Sequence, residues 1–252
     1  MSANGDIVRE LASLPASIRP LQFGNHVTGS QYLPIYRLAK QYAKPGLKAL
    51  DWGCGNGHFS YFLLRQGLKV DGFSLEADSN ALAPYLCKKF PDAYSMVTGD
   101  LDNPVHLPFP DQSFDLVFSI GVLEHVRETG GTEHASLQEI VRVLRPGGHF
   151  VCGMLPKKYS WIEFLVRSTR PDKHIHLYRY TKNDIAKMMQ TVGLELVKAM
   201  THGFLPRNSW NHPRLKTIGD RAVVNRSFNA IDRTLAQCIR PIAQNFMFAA
   251  RR

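Results

Sequence analysis

Between Leu47 and Leu155 short apolar runs alternate with segments of helical period, and this alternation restricts the possible folds more than any other feature of the chain. LKALDW (47–52), LKVDGFSL (68–75), AYSMV (93–97), FDLVFSI (114–120) and HFVCGML (149–155) have the length and apolar content of strands. HFSYFLLRQG (58–67), DSNALAPYLCKKF (78–90) and EHASLQEIVRVL (133–144) read as helices. The second is opened by the capping-type Asp78 or Ser79, and the third is stopped by Pro146-Gly147-Gly148. Strands alternating with helices in this way predict an α/β fold with a doubly wound, mostly parallel sheet. Such sheets hold their ligands beyond the carboxyl ends of the strands.

The rest of the chain extends this plan. Residues 6–14 and 31–43 read as helices of an N-terminal helical cap (1–45) in front of the core (46–155). In the remaining segment (156–252), TKNDIAKMMQTVG is a capped helix, LELVKAM a strand, 218–240 helical and NFMFAA a last strand. The expectation is a Rossmann-like sheet of seven strands with a helical insertion and an antiparallel C-terminal strand. No repeat or linker interrupts the chain, so a single domain over 1–252 is expected.

Charge divides the sequence unevenly. Residues 1–155 carry 13 Lys and Arg against 15 Asp and Glu, a net of −2, whereas 156–252 carry 18 against 6, a net of +12. Such a basic segment attracts phosphates, anionic membranes or nucleic acid, or is simply a solvated surface. The four cysteines, Cys54, Cys87, Cys152 and Cys238, lie 33, 65 and 86 positions apart and form no zinc or disulfide pattern. No run of 18 apolar residues occurs and Met1–Gln22 has no secretory hydrophobic region, so a cytoplasmic chain without a membrane span is expected.

The chemistry concentrates at Asp51-Trp52-Gly53-Cys54-Gly55-Asn56-Gly57, between the first strand and the next helix. The spacing is G-x-G-x-G, and His58 occupies the place where a dinucleotide fingerprint needs its last glycine, which argues against NAD or FAD. Glycines there let a ligand approach bare backbone. An acidic residue at the strand end suits a ligand that carries an ammonium. The same glycines would also serve a tight turn in any α/β fold.

Taken with Gly99-Asp100-Leu101, LPFPDQSFDLVFSIGVLEHV (107–126) and EIVRVLRPGGHFV (139–151), the motif resembles the class I S-adenosylmethionine-dependent methyltransferases. The likeness is to type 11 domains, near the quinone-biosynthesis and natural-product enzymes, and runs from about Tyr36 to Val197. It implies that Asp51, Gly53, Gly55 and Gly57 hold the methionine end of S-adenosylmethionine. Asp100 would accept from the adenine amino group, Leu101 would pack on the ring, and Ser119 and Ile120 would border the methyl group. The resemblance also implies an acid at the end of the second strand to bind the ribose. Ser74 stands there instead, so Glu76 is expected to take the role.

His125 is expected to act as a general base beside Glu124, because a hydroxyl nucleophile must lose a proton. His174, His176 and Tyr178 share one face of an extended segment and are expected, with Lys158 and Tyr159, to contact substrate. No third ligand is spaced to make a metal site of the two histidines, so no metal is expected. Ser119-Ile120-Gly121-Val122 replaces the Asn/Asp-Pro-Pro-aromatic motif of enzymes that methylate nucleobases or glutamine. The expected reaction is methyl transfer to a small-molecule or lipid-linked, possibly acidic acceptor, on a hydroxyl oxygen. The alternative is an RNA-directed methyltransferase or nucleic-acid-binding protein using the basic C-terminal half, with Trp161, Tyr178, Tyr180 and Trp210 stacking on bases.

In the helix at 218–240, Val224, Phe228, Ile231, Leu235, Cys238 and Ile242 fall on one face and predict a buried stripe. Pro241 is expected to end or kink it. Arg226, Arg233 and Arg240 fall opposite, toward solvent or anionic lipid.

Overall fold

A computed structural model describes residues 3–75, 82–172 and 176–252. Seven strands form one sheet: β1 (Lys48–Trp52), β2 (Lys69–Ser74), β3 (Tyr94–Thr98), β4 (Phe114–Ile120), β5 (Leu144–Pro156), β6 (Glu195–His202) and β7 (Asn245–Arg251). Their order is β3-β2-β1-β4-β5-β7-β6. The pairs from β3 to β5 are parallel, while β7 runs antiparallel to both neighbours, as expected for the C-terminal strand. The strand order reverses between β1 and β4, and that switch point is where an open α/β sheet leaves a crevice.

Period-two alternation sorts side chains onto the two faces. Ala49, Leu116, Phe118 and Val151 join one core, with α1 (Ala3–Ala12), α2 (His26–Gly29), α3 (Leu33–Ala39), α4 (His58–Arg65) and α5 (Ala83–Lys89) on that side of the sheet or at its edge. Leu50, Val117, Phe150 and Phe248 join the other, against α6 (Glu133–Val143) and α8 (Lys182–Thr191). On the first face Tyr36 stacks on Phe62 with centroids 4.2 Å apart, and Phe59 meets Phe118 at 5.3 Å. Aromatic pairs of this kind add ~0.5–1.5 kcal/mol beyond burial.

One boundary differs from expectation. Helix α6 ends at Val143, before Pro146, because Leu144 has already turned extended (φ −72°, ψ 141°) and pairs with Phe114. The cap residues Asp78 and Ser79 lie outside the described residues. Between β5 and β6, α7 (Trp161–Thr169) precedes α8; between β6 and β7 come α9 (Pro213–Gly219) and α10 (Ala222–Cys238).

Helix α10 corrects the predicted stripe. Ile231 is 54% exposed and Cys238 is exposed, whereas the sheltered side carries Asn225, Asn229, Asp232 and Ala236 together with Val224 and Phe228. The cause is the buried guanidinium of Arg207, which requires polar partners from this helix. The helix ends at Cys238, three residues before Pro241, which sits in a separate 3₁₀ turn. Arg226 and Arg233 line a cavity of about 480 Å³ with Arg9 and Arg37 of α1 and α3. Among the described residues no helix is long and apolar enough to cross a membrane.

Candidate active site

At the end of β1 the chain makes a turn that only glycine suits. Gly53, Gly55 and Gly57 have φ of +70°, +46° and +73°. A β-carbon on Gly53 would lie 2.4 Å from Val122 Cγ2. On Gly55 it would meet nothing nearer than the Gly53 carbonyl at 4.0 Å and would stand in open space. The N–H groups of Gly53 and Cys54 donate to the Phe73 carbonyl, both at 2.9 Å, which ties the turn to β2. Those of Gly55 and Asn56 donate to nothing among the described residues.

Asp51 stands behind this turn. Its odd position in β1 aims it at α4, where Ser60 Oγ donates to its carboxylate at 2.6 Å. Burial pushes its pKa up to about 7 against the hydrogen bonds from Ser60. His58, at the start of α4, lies among Phe23, Tyr32 and Tyr36 and is pushed down to about 3 by burial.

Two cavities meet over the glycines. The larger, about 880 Å³, runs from Gly53, Gly55 and Gly121 past Glu124 and His125 to the N-terminal segment and α7. The smaller, about 330 Å³, extends over Phe73, Ser74 and Val122 to Val126. Gln22, Gln31, Tyr32 and Pro34 come from the N-terminal cap, and Asn56 Nδ2 donates to Gln22 Oε1 at 3.3 Å. Met154 lines the larger cavity with φ +62°, at the register shift in β5 between Cys152 and Leu155. A non-glycine residue held there is strained, and such residues cluster at functional sites.

Three chemical groups converge on one wall of the larger cavity. One potential ligand atom from each of Glu124, His125 and His176 lies within 4.8 Å of the others. Glu124 is 3% exposed and burial pushes its pKa up to about 7. His125 Nδ1 lies 3.0 Å from Glu128 Oε2, and His176 Nδ1 lies 2.8 Å from Glu163 Oε1 in α7. That hydrogen bond to Glu163 raises the His176 pKa against burial. Glu163 is held below its ordinary range because His176 outweighs the burial that raises it.

The opposite wall is built on a buried ion pair. Arg207 Nη2 meets Asp232 Oδ2 at 2.8 Å, and Asp232 Oδ1 accepts from the N–H groups of Phe204 and Leu205 at 2.8 and 2.7 Å. Arg207 also donates to the Val27 carbonyl, Ser30 and Asn229. His202 beside it is pushed down to about 4 by burial.

The remaining expected site residues scatter. Ile120 lines the larger cavity, while Ser119 is buried in β4 next to Cys152 in register. Ser74 lines the smaller cavity. Asp100 caps the Asp102 N–H at 2.9 Å, and Leu101 is 67% exposed; both stand outside the two linings. Lys158 and Tyr159 are exposed, and Tyr178 lies under the Arg127 guanidinium at 4.8 Å in a separate cavity. Glu76 and His174 lie outside the described residues. Trp161 donates to the Phe204 carbonyl, Tyr180 to Glu133, and Trp210 packs on Phe228, so these aromatics are engaged within the fold. Sequence reasoning missed Gln22, Gln31, Met154, Glu163 and Arg207. Glu163 lies two residues from Trp161 and Arg207 three from Trp210, but no local pattern marks either as part of the site.

Residues 50–152 match a family model described as a methyltransferase domain. Over this segment, about two fifths of the chain, the sequence is similar to methyltransferase domains. The fold is shared with a solved SAM-dependent methyltransferase of Archaeoglobus fulgidus, with a TM-score of 0.58 at 18% identity over 90% of this chain and 96% of that one. The chain is 36% identical over 110 residues to a sterol 24-C-methyltransferase of Gibberella zeae, covering 42% of this chain and 27% of that protein. It is 35% identical over 114 residues to a malonyl-[acyl-carrier protein] O-methyltransferase of Yersinia pestis, covering 45% and 38%. The chain therefore spans well under half the length of these curated relatives. Among solved structures, the [4+2]-cyclase SpnF shares the fold with a TM-score of 0.63 at 17% identity, over 98% of this chain and 91% of that one.

Proposed function

We propose that this chain transfers the methyl group of S-adenosylmethionine to the hydroxyl oxygen of a small-molecule or lipid-linked acceptor. The observation that carries the reading is the glycine turn: three left-handed glycines in five residues, one with open space where a side chain would be, and two N–H groups beside it that have no acceptor among the described residues. This is a cradle for a ligand with a carboxylate and an extended thioether chain, which the methionine end of the cofactor supplies. When bound, S-adenosylmethionine supplies a methyl group already activated by a sulfonium.

The chain's own residues then need to position, dehydrate and deprotonate. Gly55 and Asn56 N–H groups hold the carboxylate, and Ser74, which ends β2 in the lining of the smaller cavity, stands on the side of the ribose, for which Glu76 is the proposed acid. Leu101, exposed as few leucines are, gains a cover if the adenine ring lies on it with Asp100 at its amino edge. Asp51 acts from behind, fixing α4 through Ser60. Ile120 and Gly121 border the reacting carbon, and Gln22, Gln31 and Tyr32 close the cavity against water. His125, held by Glu128 and next to Glu124, takes the proton of the hydroxyl. An acidic acceptor is supported by Arg9, Arg37, Arg226 and Arg233, whose cavity adjoins the larger one through His202, Gly203 and Arg207.

Calorimetric titration with S-adenosylhomocysteine tests the cradle. Gly55→Val forces a branched residue to φ +46° and places it in the binding space, so affinity falls at least ~tenfold. Unchanged affinity in a folded variant overturns the assignment. The acceptor is sought by incubating the chain with metabolite extracts and deuterated-methyl cofactor and reading mass shifts; label appearing on nitrogen or carbon removes the hydroxyl.

A further inference from the structure

The wall formed by Glu124, His125 and His176 has more structure than a general base needs. Residues 51 positions apart in the chain bring one oxygen and two imidazoles within 4.8 Å of one another. Each imidazole is gripped at Nδ1 by its own carboxylate, Glu128 on one side and Glu163 of α7 on the other. That is how proteins orient a histidine whose other nitrogen binds a metal, since the carboxylate fixes both ring and tautomer. A second observation is independent of the histidines. Glu124 is almost fully buried, and its Oε2 has no hydrogen-bond partner among the described residues. A buried carboxylate oxygen without a donor is costly unless a cation meets it. Three carboxylates crowd this wall, and a divalent charge offsets them.

We propose that Glu124, His125 and His176 form a binding site for a divalent first-row transition ion of the zinc class, with Nε2 of each histidine and Oε2 of Glu124 as ligands and Glu128 and Glu163 as positioning residues. Two imidazoles and one carboxylate suit Zn²⁺, Co²⁺, Mn²⁺ or Fe²⁺ rather than Ca²⁺ or Mg²⁺, and three protein ligands leave coordination positions open toward the cavity. The inference rests on the methyl-transfer reading and refines it. An acceptor hydroxyl that enters an open position is acidified by the ion and releases its proton to water; this step replaces the proton transfer to His125 and leaves the cofactor cradle and the methyl transfer unchanged.

The test is titration of the metal-stripped full chain with Co²⁺, followed by its visible d–d absorption, with Zn²⁺ as competitor. The expected result is one Co²⁺ per chain, displaced by Zn²⁺, with a spectrum of imidazole and oxygen ligation. His176→Ala abolishes the absorption. Glu163→Gln, which keeps the shape of the partner, weakens binding ~10–100-fold. Should the alanine variant melt early, the Glu163 variant decides alone. No uptake by the native chain, or equal affinity in Glu163→Gln, overturns the site. Calorimetry with S-adenosylhomocysteine on the same preparation separates the outcomes: a chain that binds it without taking up cobalt keeps the methyltransferase reading and loses only the metal.

Discussion

At the scale of single residues, the same burial that shapes the site sets its response to acid. His58 and His202 are held neutral, with pKa near 3 and 4 against an unfolded value of about 6.5. Folded values below the unfolded one mean that the native state refuses protons the unfolded chain accepts. Their contribution is complete above pH 6.5 and is lost as pH falls through 4 and then 3. Melting temperature followed from pH 7 to pH 4 should therefore drop, and His58→Phe, which keeps a ring between Phe23 and Tyr32, should flatten the drop. An unchanged slope in that variant removes His58 from the account. The aromatic nest around His58 could not be read from the sequence, because Phe23, Tyr32 and Tyr36 precede it by 22 to 35 positions. The glycine turn was legible because its φ demands are local. The cluster of Glu124, His125 and His176 was not, since its third member arrives from a distant loop.

Among the secondary-structure elements, α8 shows local chemistry with a distant effect. Thr181 and Asp184 form a reciprocal capping box at its start, Thr181 Oγ1 accepting from the Asp184 N–H and Asp184 Oδ2 accepting from the Thr181 N–H at 2.8 Å. This pattern was readable in TKND, and it fixes the chain five residues after His176. Thr181→Ala should cost ~1 kcal/mol by urea unfolding. A change below a few tenths would show that packing of Ile185 and Met189 alone sets the helix. Strand positions were equally legible, since period two survives in every strand that has one residue type per face. The apolar stripe expected of α10 fails for the opposite reason. A stripe argument assumes an apolar interior, and here the interior partner is an arginine.

For the molecule as a whole, that arginine joins the N-terminal helices to the C-terminal ones. Arg207 and Asp232 tie α2, the loop before α9 and α10 into one polar network under the active-site wall. Removing one charge strands the other, so Arg207→Met or Asp232→Leu should each cost ~3–5 kcal/mol, and the double variant less than their sum. Strictly additive losses in urea titrations would mean the two residues act independently. The sheet itself carries a consequence for how the protein is made. Strand β7 lies between β5 and β6, yet 42 residues separate the end of β6 from its start. On a ribosome adding about 5–20 residues per second, β6 emerges and waits roughly 2–8 s before its neighbour exists. Throughout that interval β5 also presents an open edge, and another nascent chain can pair with either strand. Crowded polysomes, rather than heat, are then the condition under which this fold is most at risk.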